Sequence, residues 1–140
     1  SDLIRYIDDI IYPYQPKQIV IYCGENDLAA SDTVTGKMVY SRFVQLFEKI
    51  RLKLPGISVV FISLKPSPSR WYLKDKMAAA NSLIKRYLLT KKKTSFVNVY
   101  SKMLDADGTP MKDIFLEDEL HMNAKGYIIW QKLLQKELLK

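Results

Sequence analysis

The chain has 140 residues, of which 48% are hydrophobic and 26% charged, and its formal net charge is +7. This length and balance predict one ordinary soluble domain over residues 1–140. No stretch approaches the roughly 18–20 apolar residues that a membrane span needs, and the single cysteine excludes an internal disulfide framework.

The predicted elements begin with a helix near the start of the chain, which Asp2 can cap and Pro13 ends. A continuous apolar run at residues 19–22 predicts a strand that is covered on both faces. The turn at Gly24 follows this strand. The next helix is predicted over about residues 35–54, where apolar side chains recur at helical spacing.

The strand-and-helix unit then repeats. A second buried strand is predicted within residues 57–64, then an irregular proline-containing loop at residues 65–70 and a helix over about residues 71–89. Residues 96–99 predict a third strand, and about residues 124–139 predict a last helix. Strands separated by long helical patterns favour an α/β fold, with a parallel sheet and helices on both faces. In such sheets ligands bind beyond the carboxyl ends of the strands.

The first motif is Gly-Glu-Asn-Asp, which follows the first predicted strand. Asn26 offers an uncharged amide donor that can face the oxyanion developing on an acyl carbonyl, and one such donor is worth on the order of 3–4 kcal/mol. Gly24 permits a tight turn or a close approach of the backbone to a ligand, and Asp27 completes the supporting turn. The same residues are also an ordinary turn sequence, so this motif alone leaves both interpretations open.

The second motif contains the only histidine of the chain, His121, three residues after Asp118. A carboxylate at this offset can accept the Nδ1 proton, fix the tautomer and leave Nε2 as a general base. Taken alone, His121 could be a surface residue and Asp118 a loop residue or a helix cap. The two motifs together are more specific, and they favour a serine-hydrolase site apart from its serine.

Other patterns are given simpler interpretations. The basic excess is interpreted as solvated faces, because no arginine-rich stripe or recognition-helix pattern is present, and no nucleic-acid partner is expected. Cys23 ends an apolar run and is interpreted as a small buried hydrophobe instead of a reactive thiol. The acidic turn at residues 105–108 does not match a calcium loop, and one histidine with one cysteine rarely suffices for zinc. No metal is expected.

Three segments together resemble the SGNH (GDSL-type) hydrolases, which include esterases, lipases and platelet-activating-factor acetylhydrolases. The segments are Gly-x-Asn-Asp at residues 24–27, the stretch Ile-Ser-Leu-Lys-Pro-Ser-Pro-Ser-Arg-Trp at residues 62–71, and Asp-x-x-His-x-Asn-x-x-Gly-Tyr at residues 118–127. The resemblance implies a three-layer α/β/α sandwich, of flavodoxin-like type, around a five-stranded parallel sheet. It also implies roles for three side chains: an oxyanion-hole donor, a base and the base's orienting partner (Asn26, His121 and Asp118).

The sequence departs from the family at its nucleophile. The family serine lies in a Gly-Asp-Ser motif after the first strand, and this sequence contains neither that motif nor Gly-x-Ser-x-Gly. A further oxyanion-hole glycine follows the second strand of the family, and it is also not found here. Asp2 falls where the helix directly after that glycine would begin. We therefore expect the chain to be the C-terminal portion of a longer domain, with its first strands and its nucleophile outside these residues. The strand from Ile19 to Cys23 would then have an open edge, available for self-association or for pairing with the missing segment.

The expected function is hydrolysis of a small-molecule ester by serine acyl transfer, a chemistry that needs no cofactor. The residues do not identify the ester. The alternative is a non-catalytic carbohydrate- or lipid-binding module on the same scaffold. The compartment is left undecided, and export of the full-length protein stays open.

Overall fold

The computed structural model describes residues 18–136, in which three strands form one parallel sheet. The strands are β1 (Gln18–Ile21), β2 (Ser58–Ile62) and β3 (Thr94–Val97), and β2 lies in the centre. Val59 lies level with Ile19 on one side and with Thr94 on the other. All three strands run in the same direction, so their carboxyl ends meet at one edge of the sheet.

Residues 18–136 contain four α-helices: α1 (Glu25–Ala30), α2 (Gly36–Lys53), α3 (Lys74–Leu89) and α4 (Ala124–Gln135). Helices α2 and α3 pack on one face, where the buried core consists of Ile19, Ile21, Phe43, Leu46, Phe47, Ile50, Ile57, Val59, Phe61, Ile84 and Leu88. Helix α4 covers the other face with partly buried apolar side chains, over a core that contains Val60, Ile62, Val97, Val99 and Met103. This arrangement confirms the predicted α/β/α sandwich.

Helices α2 and α4 begin where the sequence supplies a cap. Thr35 Oγ1 accepts a hydrogen bond from the Met38 backbone N–H at 3.1 Å, and α2 follows directly. Asn123 Oδ1 accepts from the backbone N–H of Lys125 at 2.9 Å, at the start of α4. Such caps satisfy donors that the first helical turn leaves without partners. None of the helices in this part of the chain combines the length and the apolar character that crossing a bilayer requires.

Two element boundaries differ from the predictions. The third strand was expected at residues 96–99 but ends at Val97, because the Ser63 hydroxyl accepts hydrogen bonds from the backbone N–H groups of Val99 and Tyr100 in place of a neighbouring strand. The first turn before α3 is a 3₁₀ segment, Pro68–Leu73, instead of the α-helical start expected at about residue 71. The predicted first helix and the last residues of the predicted final helix lie outside the described residues.

The strand β1 is less covered than expected. Among residues 18–136 it pairs with β2 alone. Val20 is 43% exposed, because the core on its face is built mainly on Val60, Ile62 and Val97 of the two neighbouring strands. The prediction that β1 is covered on both faces is therefore wrong at this position. Pairing of its edge with another chain or segment stays a prediction.

Candidate active site

The motif after β1 is not a simple turn, as its residues begin helix α1. Gly24 has a left-handed φ of 109°, a conformation that favours glycine. A Cβ at this position would lie 2.6 Å from Val39 Cγ1, so a larger residue does not fit. The sharp change of direction places Asn26 in the first turn of the helix, exposed at the carboxyl edge of the sheet. Six residues are too few to show a helical period, so α1 was missed in the sequence.

Between the glycine and Asn26 lies a buried carboxylate. Glu25 is 4% exposed. Its Oε2 accepts hydrogen bonds from Tyr22 Oη at 2.5 Å and from Lys65 Nζ at 2.7 Å, and its Oε1 accepts from Ser67 Oγ at 3.2 Å. Burial, reinforced by this carboxylate, raises the pKa of the Tyr22 phenol well above its ordinary value, so Tyr22 stays a donor. The network ties the loop after β1 to the loop after β2.

Arg70 joins this network to Asn26. Its Nη1 donates to Asn26 Oδ1 at 2.9 Å and lies 3.4 Å from Glu25 Oε1. Asp27 has a different partner, because its Oδ2 lies 3.2 Å from Arg42 Nη1 in a half-exposed ion pair. The sequence did not indicate Glu25 or Arg70 as site residues. The signal that could have found them is the basic and polar loop at residues 65–70, which supplies three of the groups around one carboxylate.

The second motif forms a closed hydrogen-bonded pair. His121 Nδ1 lies 2.5 Å from Asp118 Oδ2. Asp118 Oδ1 accepts from the backbone N–H groups of Leu120 and His121, each at 2.9 Å. These bonds hold the pKa of the Asp118 carboxyl at about 2, and the hydrogen bond with His121 is the largest cause. An ionised carboxylate only accepts, so Nδ1 carries the proton, and Nε2 of the neutral ring is left as the acceptor.

The loop after β2 also contacts the histidine loop. The Ser69 backbone N–H donates to the Glu119 carbonyl at 3.0 Å. Glu119 has a φ of 56°, which is unusual for a residue with a side chain and directs its carbonyl away from the local turn. The His121 carbonyl accepts from the Leu116 N–H at 2.8 Å, which closes the turn. One short loop, residues 65–70, therefore contacts both the segment that carries Asn26 and the segment that carries His121.

The remaining residues of the second motif position this loop. The Asn123 amide donates to the Asp113 carbonyl at 2.8 Å while its oxygen caps α4. A Cβ at Gly126 would lie 2.7 Å from the Ile114 carbonyl oxygen, so only glycine allows the helix to approach that closely. Both residues therefore fix where α4 begins relative to His121, two residues before the cap.

Two serines near this edge, Ser63 and Ser67, already have structural partners for their hydroxyl groups. Ser63 is 1% exposed, and its hydroxyl accepts from two backbone N–H groups after β3. Ser67 is fully buried and donates to Glu25. Burial raises the pKa of the Cys23 thiol to about 12, which agrees with its interpretation as an unreactive apolar residue. In the described range the hydrogen-bond partner of the His121 ring is Asp118, and no serine reaches it.

The base of the candidate site is exposed in the part of the chain that the structure describes. The His121 side chain is 69% exposed. A cavity of about 300 Å³ beside β3 is lined by residues that include Asn81, Asn98 and Tyr100, and a second of about 410 Å³ lies at the opposite edge of the sheet, near Arg51. Neither cavity is lined by Asn26 or His121. No cluster of three potential metal ligands is found within residues 18–136.

The charge state of Asp118 predicts a pH-dependent contribution to stability. Its pKa of about 2 in the folded chain lies below the value of about 3.9 expected when unfolded. The contribution is therefore fully present above about pH 4 and is lost as the pH falls towards about 2. The melting temperature of Asp118→Asn should fall furthest below wild type near neutral pH, and the gap should narrow between about pH 4 and about pH 2.

Thermal unfolding followed by circular dichroism measures this gap. The control is Asp113→Asn, which removes a more exposed carboxylate of the same segment. The Asp113 carboxylate lies 3.9 Å from the Lys125 ammonium, and its removal should change the melting temperature little at any pH. A gap between Asp118→Asn and wild type that stays constant with pH would show that Asp118 is not held as a stabilised anion.

Comparisons with known proteins identify the family and the fold of the chain. Residues 2–129 match the family model described as the GDSL-like lipase/acylhydrolase family. The structure is similar to a Bacteroides fragilis protein described as an acylhydrolase, with a TM-score of 0.78 and 25% identity over 96% of this chain and 66% of that one. It is also similar to a GDSL-like lipase from Bacteroides thetaiotaomicron, with a TM-score of 0.74 and 26% identity over 96% and 67% of the two chains.

A family 3 carbohydrate esterase from Clostridium thermocellum shares the fold, with a TM-score of 0.71 and 18% identity over 96% of this chain and 64% of that one. The comparison with curated proteins gave no significant match. The chain spans about two thirds of the length of these three structures.

Proposed function

Because the chain belongs to the GDSL-like lipase/acylhydrolase family, we propose that it provides the base and an oxyanion donor of an ester hydrolase. The observation that carries this proposal is the 2.5 Å contact between His121 Nδ1 and Asp118 Oδ2. It leaves Nε2 exposed as a proton acceptor, on a segment tied by the loop at residues 65–70 to the segment of Asn26. Serine acyl transfer requires a base of this kind together with an oxyanion donor.

In the proposed reaction, His121 Nε2 removes the proton of a serine hydroxyl as its oxygen attacks the ester carbonyl carbon. Asp118 stabilises the resulting imidazolium, and the Asn26 amide donates to the carbonyl oxygen as it becomes negative. When the tetrahedral intermediate collapses, His121 returns the proton to the leaving alcohol and an acyl-serine remains. Water then attacks this acyl group with the same base, which releases the acid and restores the serine.

The nucleophile in this proposal belongs to a Gly-Asp-Ser segment of the longer family domain. The structure around the site supports this, because Ser63 and Ser67 are buried and engaged in other hydrogen bonds. The proposed substrate is a small-molecule acyl or acetyl ester. An exposed His121 is compatible with a substrate that binds across the edge of the sheet.

The test is to join a family segment carrying Gly-Asp-Ser ahead of residue 1 and to measure hydrolysis of p-nitrophenyl acetate. A matched form carrying Gly-Asp-Ala changes only the nucleophile. We expect the serine form to exceed the alanine form by about 10⁶ in kcat, and the 140-residue chain alone to behave like the alanine form. Equal rates for the two joined forms would refute serine acyl transfer. Saturable binding of a carbohydrate or lipid without hydrolysis by the serine form would favour the binding module.

A further inference from the structure

We propose that Arg70 is a positioning residue, which holds the Asn26 side-chain amide so that its Nδ2 hydrogens face the ester oxygen. The proposal rests on the proposed function, in which Asn26 is the oxyanion donor. Arg70 comes from the Pro-Ser-Pro-Ser-Arg stretch at residues 66–70, which the catalytic steps above do not use.

The chemistry of the contact decides which way the amide points. An arginine side chain has five N–H donors and no acceptor, so the Asn26 atom that meets it must be the oxygen. The distance from Arg70 Nη1 to Asn26 Oδ1 is 2.9 Å. The Asn26 nitrogen lies on the other side of the amide group, and no residue among 18–136 accepts a hydrogen bond from it. Without Arg70 the terminal torsion has a broad, roughly two-fold preference, and rotation by 180° would present an oxygen to the developing oxyanion.

Arg70 is itself fixed before any substrate binds. Its side chain is 18% exposed, and its Nη1 lies 3.4 Å from the buried Glu25 carboxylate. Its backbone N–H donates to the Ser67 carbonyl at 3.1 Å, and the preceding N–H, of Ser69, donates to the Glu119 carbonyl. The guanidinium is therefore held by both its charge and its backbone. A donor that is oriented in advance stabilises a transition state without reorganisation cost.

The charge of Arg70 also strengthens the Asn26 donor. The buried cluster contains two cations, Lys65 and Arg70, against one carboxylate, Glu25. A charge-assisted hydrogen bond to the amide oxygen polarises the amide and makes its N–H groups better donors. Arg42 offers a natural comparison, because it pairs with Asp27 in the same helical turn at 3.2 Å but is 43% exposed and does not contact Asn26.

The first test is independent of catalysis and uses the full chain. The side-chain amide resonances of Asn26 are assigned by nuclear magnetic resonance through their loss in Asn26→Ala. In Arg70→Met we expect the two Nδ2 proton shifts to move and their exchange with water to accelerate. Arg42→Met should leave both unchanged. Asn26 resonances that are the same in Arg70→Met and wild type would overturn the proposal.

The second test measures coupling in the Gly-Asp-Ser form. Asn26→Ala should lower kcat by about 10²–10³. Arg70→Met should lower kcat by up to that factor with little change in KM, and should cost nothing further when Asn26 is already alanine. Methylguanidinium added to Arg70→Ala should restore part of kcat, but none in the double variant. Independent, multiplicative effects of the two substitutions would overturn the proposal, since they would show that Arg70 does not act through Asn26.

A fold control accompanies both tests. Arg70→Lys keeps a cation near Glu25 but lacks the planar fork of the guanidinium. This variant should remain folded by circular dichroism, and the chemical shifts of its Asn26 Nδ2 protons should lie between those of wild type and Arg70→Met. Nδ2 proton shifts identical to those of wild type would argue against the proposal. If the Gly-Asp-Ser form is inactive while the amide still responds to Arg70, the ester-hydrolase function fails and the Arg70–Asn26 positioning stands.

Discussion

Replacing His121 by alanine should lower the kcat of the Gly-Asp-Ser form for p-nitrophenyl acetate about 10⁶-fold, close to the effect of removing the serine itself. The reason is that serine and base act as one unit, and a neutral serine hydroxyl is a weak nucleophile. Asp118 cannot take over the role of base, because a carboxylate, with an ordinary pKa of about 3.9, is a much weaker base than imidazole, with about 6.5.

Steady-state kinetics measures this effect, and Lys125→Ala provides the control. Lys125 lies four residues away, and its exposed ammonium is 3.9 Å from the Asp113 carboxylate, so replacement of this side chain should leave kcat within about two-fold. His121 is the only histidine among the 140 residues. A histidine-selective acylating reagent should therefore abolish activity when it has modified His121. Retention of even a tenth of wild-type kcat in His121→Ala would remove this residue from the mechanism.

The second large expected effect is on stability. Glu25→Ala should lower the free energy of unfolding by about 3–5 kcal/mol, because it leaves a buried cation without its partner. Lys65 is 9% exposed, and its ammonium lies 2.7 Å from the Glu25 carboxylate. The same substitution also removes the acceptor of the Ser67 hydroxyl, which is fully buried. Unsatisfied buried donors add to the cost.

Urea unfolding of the chain measures this loss, with Arg42→Ala as the control. That substitution breaks a half-exposed ion pair in the same region and should cost at most about 1 kcal/mol. Adding Lys65→Met to Glu25→Ala should restore part of the lost stability, because it removes the unpaired charge. If Glu25→Ala is no more destabilising than Arg42→Ala, the buried network does not stabilise the fold.

The order of strands and helices was predictable because apolar periodicity is a local property. Continuous apolar runs predicted β1 and β2, and helical spacing predicted α2 to within one residue. The elements that were missed or displaced depend on long-range contacts. Helix α1 depends on Gly24 packing against Val39, and the end of β3 depends on a serine hydroxyl 36 residues away in the sequence.

The pairing of Asp118 with His121 was predictable for the same reason, because three residues of a tight turn bring the two side chains together. Asn26 was predictable as a donor from its residue type and from its position after a strand. The burial of Glu25 in a network of hydrogen bonds and ion pairs was not predictable from the sequence. A glutamate in a polar turn is ordinarily solvated, and only the loop at residues 65–70 supplies the cation and hydroxyl that make its burial favourable.

The sequence alone determined the alternating α/β fold, the pairing of Asp118 with His121, and the presence of Asn26 at the end of a strand. Only the tertiary structure decided how Asn26 is oriented, through Arg70, and which residues hold the loops together, through buried Glu25. The physical reason is the separation along the sequence over which each interaction acts. Caps, turns and periodicity act within a few residues, whereas the desolvation of a charge depends on every group folded around it. The groups that the loop at residues 65–70 brings to Glu25 come from 40 to 45 positions away in the chain.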